Sequence, residues 1–195
     1  MNNLPWLSIL WLVPLAGSVL VILLPPGLRR LAKWTGLVFG VMTLAVAIVI
    51  TLGFKTGGST YQFVESHSWI PAFGAAYSLG VDGIAVVLVL LTAVLIPVLQ
   101  VAGWNDGGER SPRGVHAYVA LTLAIESMVL VSVVALDVLL FYVFFEAMLV
   151  PMYFLIGGFG GGAGRSRAAV KFLLYNLFGG LIMLAAVIGL YVVTA

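Results

Sequence analysis

Three charged side chains fall inside long apolar stretches of the sequence: Glu126, Glu146 and Lys171. A charged group at the centre of a spanning helix costs about 2.5–3.5 kcal/mol on insertion scales, and such groups commonly mark ion pathways and proton relays. Carboxyl and amino groups both take up and release protons. Because these three side chains lie on successive apolar segments, they predict a proton relay within a membrane.

The spacing of the three residues sets their expected depth. Glu146 lies eight residues after the predicted start of its helix, or about 12 Å deep at 1.5 Å per residue. Glu126 lies eleven residues into its helix, or about 16 Å. Both carboxyls therefore approach the middle of a hydrocarbon layer about 30 Å thick. Lys171, three residues past the predicted start of its own helix, is expected in the third of the membrane nearest the cytoplasm.

Each of these side chains also has a purely structural alternative. Glu126 and Glu146 could be protonated carboxyls bonded to a neighbouring helix, because burial disfavours the ionised form. Lys171 could extend its four-carbon stem to the membrane surface. Asp82 and Asp137 stand at predicted helix starts, where N-capping and the helix dipole explain an acid without any role in transport.

The elements that hold these residues are membrane-spanning helices. Hydrophobic residues make up 63% of the 195 residues and charged residues 8%, against roughly 25% charged in soluble domains. The composition predicts an all-α polytopic membrane protein with one domain over residues 1–195. Six segments reach the roughly 20 residues needed to span: 4–24, 31–53, 81–103, 115–135, 138–157 and 168–193. The first lacks the basic start of a signal peptide and is expected to be a retained helix.

Residues 54–80 are too polar to span the membrane. Their aromatic side chains, including Trp69, Phe73 and Tyr77, favour the boundary between headgroups and acyl chains. We expect an extracytoplasmic interfacial loop made of short strand or other surface structure. The turn between the fourth and fifth predicted helices, at Leu136–Asp137, is short, so these two helices are expected to be antiparallel neighbours.

The basic residues predict the orientation. Lys55 is the one base expected on the side of the 54–80 loop, whereas the other loops carry the basic residues on the opposite side. Basic loops stay in the cytoplasm, which predicts an extracytoplasmic N-terminus. The bases on the predicted cytoplasmic side are Arg29, Arg30, Lys33, Arg110, Arg113, Arg165 and Arg167.

Pro151 is expected to disturb the fifth helix next to Glu146. Proline has no amide hydrogen to donate, so it leaves a carbonyl near Ala147 without its helical partner. Local hydration beside the carboxyl follows from that.

Composition also excludes several classes of site. The chain has no cysteine, so it offers no disulfide, thiol nucleophile or iron–sulfur ligand. His67 and His116 are far apart in sequence, and we expect no metal or haem site from them; His116, near a helix start, is expected at the membrane interface. The glycine-rich run 160–164 follows no strand and precedes no Gly-Lys-Ser/Thr, so it is not a phosphate loop. A net charge of +2 does not indicate a nucleic-acid partner.

The segment around Glu146 resembles a known motif. DVLLFYVFFEAMLVPMYFLIG, residues 137–157, is similar to the fifth-helix motif of the antiporter-like subunit M of respiratory complex I, called subunit 4 in mitochondria. Four further pieces agree with that family in order: SWIP at 68–71, YSLGVDG at 77–83, ESM at 126–128 and AAVKFLLY at 168–175. The resemblance covers most of the chain from about residue 68 to 184.

The resemblance implies a proton-translocating membrane subunit of NADH–quinone oxidoreductase. Glu146 matches the family's essential helix-five glutamate, Lys171 its helix-six lysine, and Glu126 an acid found in some members. The implied subunit has no redox centre or catalytic residue of its own. FMN, iron–sulfur clusters and quinone are expected in partner subunits, and the expected partners are other complex I membrane subunits, especially neighbouring antiporter-like ones, and the lipid bilayer.

The implied location is a bacterial inner or plasma membrane, in preference to the mitochondrial inner membrane. Family members have more helices than these six, so the sequence is expected to be an N-terminal fragment, with the family's helix-seven lysine beyond Ala195. Two other interpretations remain open. The chain could belong to a cation/proton antiporter of the multi-subunit sodium–proton type or to a membrane hydrogenase, or it could be a structural anchor whose charges fix helix packing.

Overall fold

Helices dominate the computed structural model, which describes residues 4–70, 74–104 and 114–194. Within these described residues, six apolar helical stretches are long enough to cross a membrane, which confirms the predicted polytopic architecture. The sixth apolar stretch is one long helix, whereas the fifth is divided in two. In chain order the elements are α1 (Trp6–Leu23), α2 (Arg29–Gly53), β1 (Gln62–Ile70), β2 (Ala75–Val81), α3 (Gly83–Ala102), α4 (Gly114–Val134), α5 (Val138–Ala147), α6 (Leu149–Phe159) and α7 (Arg165–Thr194).

The helix ends differ from the sequence expectation mainly where charged residues or glycines are involved. α2 begins at Arg29 and α7 at Arg165, earlier than predicted, because arginines at a membrane surface remain compatible with the first turn of a helix. α6 continues through Gly157 and Gly158 to Phe159, whose ring packs edge-on against Tyr118 with centroids 5.3 Å apart. The predicted loop bases Arg110 and Arg113 lie outside the described residues, as do Pro71 and Phe73 of the interfacial segment.

The segment between α2 and α3, for which short strand or other surface structure was expected, forms an antiparallel hairpin of β1 and β2. Ser66 pairs with Ser78, and the register shifts between Gln62 and Glu65, where Phe63 has a φ of 54°. Such a bulge turns side chains away from the regular alternation of a strand. The hairpin is fixed to the bundle by the amide of Leu136, which donates to the Ser78 carbonyl at 2.9 Å.

The core lies among α1, α2, α3 and α4, with α4 packed against the other three. Buried Leu, Val, Ile and Ala side chains form one cluster near the hairpin and a second near the opposite end. α2 approaches closely because Gly36 faces Val119 and Gly40 faces Pro97, in keeping with the small residues at helix contacts in membranes. α5 and α6 pack beside α4, and α7 packs on α5 and α6 with most of its surface exposed.

Candidate functional site

Glu146 lies at an interruption in the fifth spanning segment. α5 ends at Ala147 and α6 begins at Leu149, with Met148 between them in a helical conformation (φ −60°, ψ −25°). Pro151 causes the break because it has no N–H for the Ala147 carbonyl. The predicted single helix 138–157 is therefore two helices on nearly continuous backbone, since the Met148 amide still donates to the Phe144 carbonyl at 3.1 Å.

The carboxyl group of Glu146 faces α7 at Gly180. A Cβ atom on Gly180 would collide with that carboxyl group, and even its farther oxygen, Oε2, would lie 2.8 Å away. Gly180 is buried although most of α7 is exposed. Oε1 of Glu146 is buried and has no hydrogen-bond partner among the described residues. The glycine thus forms a recess that holds the carboxyl between two helices.

Glu126 is the most enclosed charged residue of the described chain. It lies on α4, is 0% exposed, and neither carboxyl oxygen has a hydrogen-bond partner within the described ranges. The next residue, Ser127, donates its hydroxyl to the Trp11 carbonyl of α1 at 2.9 Å. An ionised Glu126 would be a buried charge without compensation, which is strongly unfavourable in a protein interior.

Glu126 and Glu146 occupy the same level of the bundle. α4 and α5 are packed antiparallel neighbours joined by a short turn, as predicted. Glu126 lies eight residues before the end of α4, and Glu146 lies eight residues after the start of α5. Each carboxyl-bearing residue is therefore about 12 Å from the hairpin end. Packed helix axes are about 8–10 Å apart, so the two acids stand at one level on adjacent helices.

Lys171 is not brought to this pair of acids. It precedes Gly180 by nine residues on α7, which is about 14 Å along the axis and two and a half turns, so the two residues face opposite sides of the helix. The side chain of Lys171 is exposed. Because α7 begins at Arg165, Lys171 lies six residues into the helix rather than the predicted three. Of the three groups in the predicted relay, the structure brings Glu126 and Glu146 to one level and leaves Lys171 apart from them.

The other predicted polar positions are two helix caps and a buried histidine. The Asp82 carboxylate accepts from the Ala85 amide at 2.7 Å, and that of Asp137 from the Leu139 amide at 2.9 Å, so both are N-caps as expected. His116, expected at the membrane interface, lies two residues past the start of α4 and is 3% exposed. Neither of its ring nitrogens has a hydrogen-bond partner in the part of the chain that the structure describes.

Two features of the structure were not identified from the sequence. The first is Gly180, for which the adjacent glycines 179 and 180 in an apolar helix were an available signal. The second is Glu65 on the hairpin, whose carboxylate accepts from the Leu7 amide at 2.7 Å, the Ser8 amide at 3.1 Å and the Ser8 hydroxyl at 2.5 Å. α1 has no side-chain cap at Pro5, so its free amides required an acceptor from elsewhere.

The arrangement suits proton transfer. Two carboxyls at one level, with three of their four oxygens buried and unpartnered within the described residues, can change protonation without first breaking a hydrogen bond or ion pair. At the α5–α6 break beside Glu146, Pro151 leaves the Ala147 carbonyl without its helical amide partner. No group of three or more histidine, cysteine or acidic residues capable of holding a metal occurs in the described segments.

Comparison with known proteins agrees with this geometry. A family model described as "NADH:quinone oxidoreductase/Mrp antiporter, TM" matches residues 135–195, which hold α5, α6 and α7. NADH-quinone oxidoreductase subunit M of Mycobacterium tuberculosis is 74% identical over all of this chain and 40% of its own length. The chain therefore spans about two fifths of that relative.

Solved structures show the same architecture. A chain of respiratory complex I from Thermus thermophilus, determined with bound NADH, superposes with a TM-score of 0.76 at 28% identity, over 94% of this chain and 35% of its own length. The Mrp complex from Dietzia sp. DQ12-45-1b gives a TM-score of 0.75 at 24% identity, over 92% of this chain and 19% of its own. The second likeness concerns the fold alone.

Proposed function

We propose that this chain, which is homologous over its whole length to NADH-quinone oxidoreductase subunit M, acts within a proton-translocating membrane subunit of a complex I. The proposal rests on the environment of the Glu146 side chain. Its carboxyl lies at a helix break near the middle of the membrane, faces a glycine recess on α7, and has one oxygen buried without a partner in the described chain. A carboxyl group that costs free energy to bury in the membrane, and that is held in one specific place, is typical of a transport site.

In the proposed mechanism Glu146 changes protonation as a cation approaches and leaves. A nearby ammonium stabilises the ionised carboxylate, and when the ammonium withdraws, burial favours the protonated form. Each cycle breaks one carboxyl O–H bond and later remakes it with a proton from the other side. Glu126, level with Glu146 on the adjacent helix, is the second carboxyl that we propose carries protons. Lys171 lies on the face of α7 opposite Gly180. We therefore propose that it acts in proton translocation at a site apart from α5.

The proposed assembly places the redox chemistry in partner subunits. This chain has no cysteine, the usual ligand of iron–sulfur clusters, and we place those clusters, FMN and quinone in partner subunits. Other complex I membrane subunits, including neighbouring antiporter-like ones, are the proposed partners. We further propose a bacterial plasma membrane location with the hairpin and N-terminus outside. The described bases of α2 and the start of α7 lie at the end opposite the hairpin, which supports that orientation through the positive-inside rule.

Replacing Glu146 by Gln in the full-length subunit tests the proposal. The change removes the titratable proton and keeps the shape, so the complex is expected to assemble but to lose proton pumping coupled to quinone reduction. Glu65→Gln is the matched control, because it makes the same chemical change on the hairpin and should leave pumping intact. Normal pumping by an assembled Glu146→Gln complex would contradict the proposal.

A cation/proton antiporter subunit is the second candidate, favoured by the family model that covers both classes. A membrane hydrogenase subunit belongs to the same group of alternatives. Purification of the native complex separates them. Co-purification with NADH-oxidising iron–sulfur subunits supports complex I, whereas sodium-dependent proton exchange without such subunits supports the antiporter.

A further inference from the structure

A small cavity with both polar and apolar lining lies at the end of the bundle opposite the hairpin, between α2, α3 and α4. Lys33, Gln100, Tyr118 and Val119 are among its lining residues, and its volume is about 10 Å³ for the centre of a water-sized sphere. One water needs about 10–15 Å³ on this measure and two or more polar partners. The cavity therefore has the size of a single water site.

Gln100 supplies the polar partners. It is 4% exposed, and neither its amide nitrogen nor its amide oxygen has a hydrogen-bond partner among the described residues. An amide buried in this way costs free energy of about 1–3 kcal/mol unless a partner satisfies it. Lys33, at the edge of the cavity, donates to the Trp104 carbonyl and lies 5.4 Å from the centre of the Trp104 ring. A water on Gln100 would satisfy both amide atoms.

The cavity and Glu126 lie on one face of α4. Val119 lines the cavity, and Glu126 follows it by seven residues, which is two turns and about 10 Å. Thr122 lies between them, buried, four residues before Glu126. Its hydroxyl donates to the Tyr118 carbonyl at 2.8 Å and retains lone pairs that can accept from water. One polar group thus stands halfway between the cavity and the buried acid.

α2 adds a second buried hydroxyl at the level of Glu126. Gly36 faces both Val119 and Gln100 across the helix contact. Seven residues farther along both parallel helices, Thr43 of α2 reaches the level of Glu126 on α4. Thr43 is 0% exposed. The polar groups therefore continue from the cavity to the acid along a face that is otherwise apolar.

We propose that the cavity at Gln100 binds water and is the uptake site through which Glu126 receives protons from the basic end of the bundle. This inference rests on the proposed proton-translocating function and names the entry route. In the step, the water gives a proton to the Thr122 hydroxyl oxygen. That hydroxyl turns from the Tyr118 carbonyl, breaks its own O–H bond and gives that proton to a carboxylate oxygen of Glu126, which gains the O–H bond. A proton from the aqueous side then restores the water. No ionic species has to remain beside the Lys33 ammonium, because the water accepts one proton as it gives up another.

Gln100→Leu in the full-length subunit of the assembled complex removes the water's partners at nearly constant volume. The readout is the rate at which the Glu126 carboxyl band in the infrared spectrum shifts after transfer into D₂O, with Glu126→Gln to assign the band. Exchange is expected to slow by about tenfold, the factor that one hydrogen bond of about 1.4 kcal/mol represents in a rate. Gln100→Asn, which keeps the amide, is expected to exchange nearly as fast as the native protein.

Stability separates this role from simple packing. Leucine replaces the buried amide and displaces the water together, which leaves no polar group without a partner, so the melting temperature of the Gln100→Leu complex should stay the same or rise. Thr122→Val is expected to slow the exchange, and Thr122→Ser, which keeps the hydroxyl, is the control. Unchanged exchange in Gln100→Leu, or the absence of any exchanging Glu126 band, would overturn the uptake site. If Glu146→Gln still abolishes pumping in that case, the proposed function stands and only the route fails; if Glu146→Gln pumps normally, the function itself fails.

Discussion

Gly180→Ala is the substitution that most specifically probes the seat of Glu146. The added methyl would lie 2.8 Å from Oε2 of Glu146 and closer to the other carboxyl atoms, whereas ordinary contact begins at 3.4 Å. The farther oxygen must retreat by about 0.6 Å and the nearer one by more. Displacements approaching 1 Å in a reacting group cost up to about a hundredfold in rate. Proton pumping is therefore expected to fall by roughly ten- to a hundredfold.

The stability of the same variant should change little. Alanine favours a helix over glycine by about 0.8–1.0 kcal/mol, and forcing a side chain off its preferred rotamer costs about 0.5–1.5 kcal/mol. These effects nearly cancel because the obstacle is the end of a flexible glutamate side chain, not backbone. The melting temperature of the complex is expected to stay close to that of the native protein.

Gly179→Ala is the matched control. A Cβ atom at Gly179 meets nothing within 4 Å among the described residues, so this variant gains the same helix preference without touching Glu146. The assay is proton uptake into proteoliposomes that carry the assembled complex, driven by NADH and quinone. Equal pumping by the two alanine variants would refute the proposed recess.

Two further substitutions test the frame that holds the site. Glu65→Ala removes the acceptor for the Leu7 and Ser8 amides at the start of α1 and should lower the free energy of unfolding by about 1–3 kcal/mol. Glu65→Gln should cause a smaller loss. Equal melting temperatures for the native and Glu65→Ala complexes would count against this cap. Gly17→Ala places a methyl 2.6 Å from the Phe39 ring and should destabilise the folded protein by about 1–3 kcal/mol. Gly27→Ala, where a Cβ meets nothing within 4 Å in the described chain, should be neutral. A Gly17→Ala protein as stable as the native one would mean that α1 and α2 can separate at no cost.

The helices were predictable because a bilayer demands about 20 consecutive apolar residues, and that signal is local in sequence. The disturbance beside Ala147 was predictable for a similar reason, since Pro151 removes a specific hydrogen bond whatever the surroundings. The hairpin was harder to predict. β1 is polar and largely exposed along Gln62–Ile70 and carries a bulge, so it lacks the regular alternation that indicates a strand.

The parts of the site that depend on tertiary contacts could not be predicted from the sequence. Glu126 and Glu146 were identified because a carboxyl in an apolar run is unusual on its own. Their shared level follows from the short turn between α4 and α5, which the sequence also indicates. The recess at Gly180 and the unsatisfied amide of Gln100 depend instead on which helices meet, and a glutamine near a helix end carries no comparable signal in sequence.

The number of protons translocated per NADH oxidised tests the central claim most directly, measured on proteoliposomes with the native complex and with Glu146→Gln and Glu146→Asp. The proposed role of Glu146 predicts no translocation with Gln and partial translocation with Asp, which keeps a carboxyl one methylene shorter. A native ratio in the assembled Glu146→Gln complex would contradict it.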